Sequence, residues 1–459
     1  MATWRCKRCR SENRADAAFC PACGAKRPEV GADAGAPSGL SLRRRSRSIL
    51  DGIKKELADA MGEDAGVLEG VTAEMPDLSA IDIGMPRLET PARSRAPLAP
   101  EPLFQRVTTR DLRVEVDAYP RLNYALVHCG LPLIETLRIH NTSAEPANDV
   151  MVKAWLATDY GEAWQKTIPT IPAGAAHEET GIVVPLRKSR LQEVREAEKA
   201  NLRVDVFTEG EVQFSETYPM EVLAYNEWYY NAAIAGLLAC FVQPNSEPVE
   251  KIVTLMRDRL RREFKATDLS GYQSGSREKV VEMLEALYGT LQQDLRISYI
   301  NPPPSFERGQ RMPDGSVTLS QKVFFPEQIY EHRRGTCLDL TLLCAACVER
   351  MGLHPVCFII KGHAFFGAWL EDYSDPAVSQ SITGPVIRQW ELVRELVTQE
   401  LILPMNSVTF TMGGRKGFDV CTEEGRQYLE SEEIFWCMVD VALAHRTGFK
   451  PIPPLVADR

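Results

Sequence analysis

The sequence predicts a multidomain chain: a small cysteine-clamped N-terminal module, an all-β region, and a C-terminal α+β region. Three observations carry this. Two CxxC pairs fall within the first 28 residues, short apolar/polar alternation runs through residues 103–225, and the apolar spacing changes to threes and fours after Asn226-Glu-Trp228. At 459 residues with ordinary apolar and charged content, the chain has room for two or three domains.

The N-terminal module begins Trp4-Arg-Cys6-Lys-Arg-Cys9 and continues Phe19-Cys20-Pro-Ala-Cys23-Gly24. Four thiolates on two such knuckles suit a tetrahedral zinc ion, and a segment of residues 1–28 cannot otherwise bury a core. Cys6, Cys9, Cys20 and Cys23 are therefore the expected ligands of a structural zinc. The spacing resembles RanBP2-type fingers and bacterial zinc ribbons, although Arg10-Ser11 stands where ubiquitin-binding fingers carry Thr-Phe. Net charge is −10, yet residues 1–28 hold seven Lys or Arg against two acids, leaving −15 elsewhere. Any nucleic-acid contact is thus expected from this end, and it is not the favoured role.

Residues 29–102 are rich in Ala, Gly, Pro and Ser and read as a flexible linker. Within it Ile49, Ile53, Leu57 and Met61 follow Arg43-Arg-Arg-Ser-Arg47, so 48–61 is a possible short amphipathic helix and 43–61 a possible partner-docking segment. The apolar run Ala232 to Val242 is too short for a membrane helix, and no basic-then-apolar leader opens the sequence. A cytoplasmic location with reduced thiols is expected.

Over 103–225 four strands are predicted around Leu112–Val116, Ile134–Ile139, Val150–Trp155 and Leu202–Val206, with turns at Asn141-Thr-Ser and Pro172-Ala-Gly174. This is the pattern of an immunoglobulin-like β-sandwich. Arg187 to Lys199 reads as a helical insertion or crossover, and His128, His140 and His177 as structural residues. Residues 226–459 form the α+β domain, with helices predicted over Ile234–Phe241, Val249–Phe264 and Val280–Leu291.

Its chemistry centres on Gly335-Thr336-Cys337-Leu-Asp339-Leu340. Leu340, Leu343, Cys347 and Met351 mark one helical stripe, Gly352 ends it, and Thr336 with Asp339 has the form of a capping box. Cys337 then stands in the first turn, where unsatisfied N–H groups and the helix dipole favour a thiolate and can hold an oxyanion. Cys344 and Cys347 lie deeper, as packing residues.

Two strands are expected next, over Pro355–Ile360 and from Gly362 to Glu371, the second beginning with His363 as base. A group must orient its imidazole. Asn406, near the start of an expected strand Leu401–Thr411, is preferred over Asp372, which follows the far end of the His363 strand. His332, His354 and His445 are read as solvated or structural.

Gly-Thr-Cys337-Leu-Asp-Leu and Gly-His363-Ala-Phe-Phe-Gly-Ala-Trp-Leu resemble the transglutaminase-like, papain-type superfamily over roughly 245–440. Asn226-Glu-Trp228, Gly271-Tyr-Gln273-Ser-Gly275, Tyr299-Ile-Asn301-Pro-Pro303 and Val439-Asp-Val-Ala-Leu-Ala are similar to the region at the front of some bacterial superfamily I helicases. No Walker-type phosphate loop occurs here. The resemblance implies a cysteine peptidase with Cys337, His363 and Asn406 as its triad, acting on protein or peptide, in a setting of bacterial antiviral defence. Many members carry Asp or Glu where this chain has Asn406. A transglutaminase or deamidase with the same site, and a non-catalytic adaptor or nucleic-acid-binding protein, are the alternatives. Gln273 and Asn301 are the candidates for an oxyanion or pocket donor.

Overall fold

The structure is a computed structural model. It describes residues 111–156, 159–266, 268–302, 307–311, 317–372, 384–411 and 416–454, with short strands at 3–5, 12–14 and 107–108. The chain divides into two compact units, Met1–Pro91 and Ala92–Arg459. In the first, β1 (Thr3–Arg5) pairs antiparallel with β2 (Glu12–Arg14), Trp4 opposite Asn13. These strands bracket Cys6 and Cys9 in the sequence. The four cysteines themselves, the linker 29–102 and the 48–61 helix lie outside the described residues.

The second unit is mixed α+β with several sheets, including a curled half-barrel. Its first part holds β3 (Val107–Thr108), β4 (Leu112–Ala118), β5 (Arg121–Leu122), α1 (Tyr124–His128), β6 (Ile134–Asn141), β7 (Ala147–Leu156), β8 (Trp164–Ile171), β9 (Ala176–Ile182), α2 (Lys188–Gln192), β10 (Glu198–Thr208) and β11 (Glu211–Val222). Strands β4-β6-β9 form one antiparallel sheet, and β3-β11-β10-β7-β8 the other, with β5 joining β11 in parallel. Alternate residues of β6, β7 and β10 turn inward. Leu137 and Ile139 of one sheet enter the same buried cluster as Val152, Ala154, Val204 and Val206 of the other.

All four expected strands form here. Strands β8, β9 and β11 are not among the expected ones, and for β8 and β9 the reason is physical. Edge strands β8 and β9 bury few residues, so their sequences (Trp164-Gln-Lys-Thr, His177-Glu-Glu-Thr) carry no apolar alternation. Arg187–Lys199 contains only the short α2 before β10 begins.

After β12 (Glu227–Tyr229) the apolar segment Ala232–Phe241 coils as a 3₁₀ rather than an α-helix. Helix α3 (Glu247–Glu263) buries Val249, Ile252, Val253, Met256 and Leu260 along one stripe, and α4 (Arg277–Gly289) ends in a wider turn at Thr290–Asp294. There follow β13 (Ser298–Tyr299), β14 (Glu307–Arg311), β15 (Val317–Lys322), α5 (Pro326–His332), β16 (Arg334–Gly335), α6 (Cys337–Arg350), β17 (Pro355–Ile360) and β18 (His363–Trp369). The chain then runs through β19 (Val386–Ile387), α7 (Trp390–Thr398), β20 (Ile402–Met405), α8 (Phe418–Gln427), β21 (Phe435–Asp440) and α9 (Val441–Arg446).

The sheet that positions the site is antiparallel, in the order β19-β21-β17-β18-β20. Strand β17 is buried from end to end. Its residues Cys357 and Ile359, with Ala364, Phe366 and Ala368 of β18, belong to the cluster containing Leu340, Leu343, Cys344 and Cys347 of α6. Val356, Phe358, Phe365 and Trp369 belong instead to the cluster of α7, with Val393 and Leu396. Helices thus cover both layers, which explains why β17 reads as a continuous apolar run.

Gly367 sits where β18 meets β20. A Cβ there would lie 2.8 Å from the Leu403 carbonyl oxygen and 2.9 Å from the Phe358 ring. Gly367→Ala is expected to lower stability by about 1–3 kcal/mol through overpacking, measured by urea unfolding.

Candidate active site

Helix α6 starts at Cys337 because Thr336 caps it. The Thr336 hydroxyl accepts from the Asp339 N–H at 3.3 Å, and the Asp339 carboxylate accepts from the Thr336 N–H at 2.9 Å. The predicted capping box is therefore present. Asp339 also accepts from the Phe324 N–H at 2.8 Å, and Gln321 Nε2 donates to the Thr336 hydroxyl at 2.9 Å. These bonds tie the end of β15 to the helix start. Burial pushes the Asp339 carboxyl up to about 6, against the opposing pull of its Thr336 and Phe324 hydrogen bonds.

The half-buried Cys337 thus occupies the first helical position. The Cys337 carbonyl oxygen accepts from the Thr341 hydroxyl at 2.7 Å and from the Ser407 hydroxyl at 3.4 Å. Ser407 is the residue after Asn406, so one dipeptide reaches both the helix start and the histidine.

His363 is the first residue of β18, one beyond Gly362, whose φ of 77° makes the tight reversal from β17. The ring lies 4.9 Å from that of Tyr428, centroid to centroid, and the residue as a whole is half-buried. Its Nε2 is 3.1 Å from Asn406 Oδ1. Which ring nitrogen carries the proton follows from Asn406. The Asn406 amide Nδ2 donates to Glu424 Oε2 at 2.7 Å, and Oδ1 accepts from the Val408 N–H at 3.2 Å. A carboxylate only accepts and a backbone N–H only donates, so both bonds turn Oδ1 toward the imidazole. Nε2 must then be the donor, leaving Nδ1 as the basic nitrogen of the neutral ring.

Burial pushes the His363 imidazole down to about 4, while Asn406 and the Glu424 charge pull the other way. Because the folded value lies below the ordinary 6.5, the unfolded chain takes up this proton first as pH falls. Stability linked to His363 is present above about 6.5 and is lost as pH falls toward 4. His363→Gln, which retains a donor for Asn406, is expected to remove up to one proton of this dependence. Urea unfolding at several pH values measures it.

Asn406 itself differs from expectation in one respect. Strand β20 ends at Met405, and Asn406 begins a turn: its carbonyl accepts from the Thr409 hydroxyl at 2.7 Å and the Thr409 N–H at 3.2 Å. The Asn side chain terminates the strand by bonding its own following backbone, so the expected strand Leu401–Thr411 is four residues long.

Glu424, Lys416, Ser407 and Gln321 join the site without a motif in the sequence to mark them. Lys416 Nζ pairs with Glu424 Oε1 at 2.6 Å, behind Asn406. Glu424 is carried on α8, which lies directly on β20: a Cβ on Gly425 would come within 2.7 Å of the Pro404 carbonyl carbon. A glycine inside an otherwise regular helix was the available signal.

The remaining candidates separate. Gln273 is exposed on a turn whose Tyr272 hydroxyl donates to the Trp369 carbonyl, at the opposite end of β18 from His363, so it is not brought to the site. Asn301 is exposed just past β13, which pairs with Arg334–Gly335 immediately before Cys337. The side-chain amide that does reach the helix start is Gln321. Asp372 lies 3.9 Å from His354, far from His363 along β18. His354 meets Arg446 and His445 meets Glu349, in structural settings. The Asn406–Ser407 segment links the two, Asn406 meeting the His363 ring and Ser407 the Cys337 carbonyl.

Among the described residues no cluster of His, Cys, Asp or Glu is arranged to hold a metal, and no helix is long and apolar enough to cross a membrane. No protein-family model matches the sequence, and no curated protein matches it.

Proposed function

We propose that residues 226–459 form a transglutaminase-like thiol domain that transfers acyl groups from a protein or peptide, preceded by an immunoglobulin-like sandwich. The carrying observation is the His363–Asn406 hydrogen bond, whose donor is fixed by Glu424 and Val408, beside the capped start of the Cys337 helix. The two facing antiparallel sheets support the sandwich reading.

In this reading Cys337 Sγ attacks the substrate carbonyl and its proton passes to His363 Nδ1. N–H groups of the first turn of α6 face the developing oxyanion. The leaving amine takes the proton from Nδ1, and a thioester remains. Water deprotonated by Nδ1 then releases the acid, as a peptidase; an amine acceptor in its place gives a transglutaminase. Asn406 lacks the charge to hold an imidazolium, and Glu424 supplies that charge one residue further back.

The N-terminal Cys6, Cys9, Cys20 and Cys23 are proposed as ligands of a structural zinc, supported by their spacing and the β1–β2 pairing around the first pair. A cytoplasmic setting and a role in antiviral defence belong to the proposal through resemblance alone.

Low iodoacetamide at neutral pH is expected to label Cys337 ahead of the buried cysteines, with His363→Ala slowing that labelling at least about tenfold. New protein termini should appear in cells expressing the wild type and not in those expressing Cys337→Ala. Cys337 labelling no faster than a free thiol, with Cys337→Ala fully active, would leave a non-catalytic adaptor as the better description.

A further inference from the structure

Away from this site, two thiols from distant parts of the sequence meet. Cys129 caps the C-terminus of α1, and Cys240 lies in the 3₁₀ segment Ala232–Phe241; their sulfurs are 3.3 Å apart across 111 residues of sequence. Three chain segments converge there. The Lys450 N–H donates to Cys129 Sγ at 3.4 Å, the Ile452 N–H donates to the Cys240 carbonyl at 2.8 Å, and His128 Nε2 lies 3.1 Å from the Pro451 carbonyl.

The pair is asymmetric. Cys129 is partly open to solvent, and Cys240 is fully buried. The hydrogen bond shared with the Cys240 thiol, opposed by burial and assisted by the Lys450 N–H and the Lys450 and Lys188 charges, brings the Cys129 thiol down to about 7. Cys240 is pushed upward by the same contact and by burial. One thiol is thus accessible and readily ionised, and its neighbour is shielded from every reagent except the first sulfur.

We infer that Cys129 and Cys240 form a redox-active dithiol that low-molecular-weight disulfides oxidise to an internal disulfide. The Cys129 thiolate attacks one sulfur of the oxidant, forming a mixed disulfide and releasing one thiol. Cys240, losing its proton, attacks the Cys129 sulfur, forming the internal bond and releasing the second thiol. Two protein thiols are oxidised and one small disulfide is reduced to two thiols. The sulfurs must approach from 3.3 Å to the roughly 2.05 Å of a disulfide. The bond would fasten the start of the β-rich part to the helical part and to the C-terminal segment lying over both.

The test uses the full chain carrying Cys337→Ala, so that the proposed nucleophile does not compete. It is incubated with glutathione disulfide, blocked with iodoacetamide, digested without reduction and analysed by mass spectrometry. A peptide pair joining Cys129 to Cys240 is expected. Cys129→Ser should abolish it, whereas Cys240→Ser should stop at glutathione on Cys129. The oxidised form should melt several degrees higher, reversibly with dithiothreitol, because the bond closes a long loop of the unfolded chain. Glutathione retained on Cys129 in the presence of Cys240, a link between other cysteines, or no reaction at Cys129 would each overturn the inference.

Discussion

Replacing Asn406 with alanine should reduce Cys337-dependent turnover by about a hundredfold, and Glu424→Ala should reduce it by about tenfold to a hundredfold. The two act in series. Asn406 fixes the imidazole, and Glu424 decides which end of the Asn406 amide faces it, so the double variant should be no slower than the worse single. Glu424→Gln is the more discriminating change. A Gln amide presents either a donor or an acceptor to Asn406, Lys416 loses its counter-charge, and the Asn406 oxygen is no longer held in one orientation. The pH dependence of Cys337 alkylation should shift in Glu424→Gln and stay unchanged in a substitution at exposed Glu423. Wild-type turnover in both Glu424→Ala and Glu424→Gln would remove Glu424 from the site.

Asp339→Ala should be the most destabilising single substitution near the site, by about 2–4 kcal/mol in urea unfolding. It removes one half of the capping box and leaves the Thr336 and Phe324 N–H groups without their acceptor. Its pH signature is opposite to that of His363. The Asp339 carboxyl is raised in the folded chain, so the stability linked to it is complete below the ordinary carboxyl range and is lost as pH rises through about 6. Comparing wild type with Asp339→Asn isolates this slope, just as His363→Gln isolates the other, although their pH windows overlap.

The helix start was legible because capping chemistry is local: Thr336, Cys337 and Asp339 lie within four positions, and their bonds follow from that spacing. The strands β17 and β18 were legible because both of their layers are covered, leaving long apolar runs. Position along a strand is a different matter. Asn406 was expected early in a strand and instead closes one, because a side chain that bonds its own following backbone competes with the ladder. Glu424 was invisible because its partner lies 18 residues away across a helix–strand contact, and a solvated helix face is the ordinary reading of Glu423-Glu424. Strands β8 and β9 escaped notice as sheet edges with few buried residues.

One contact sets the spacing of the candidate site more firmly than any side chain. At Gly425 the main chain of α8 lies on the main chain of β20, with no room for a methyl group between them. The separation of Glu424 from Asn406 is therefore a distance between two backbones, insensitive to which apolar residues fill the core around them. A side chain at this position would have to push the two backbones apart. A glycine directly after the acid, paired with an Asn just past a short apolar strand, is the pattern by which distant relatives of this site would be recognised.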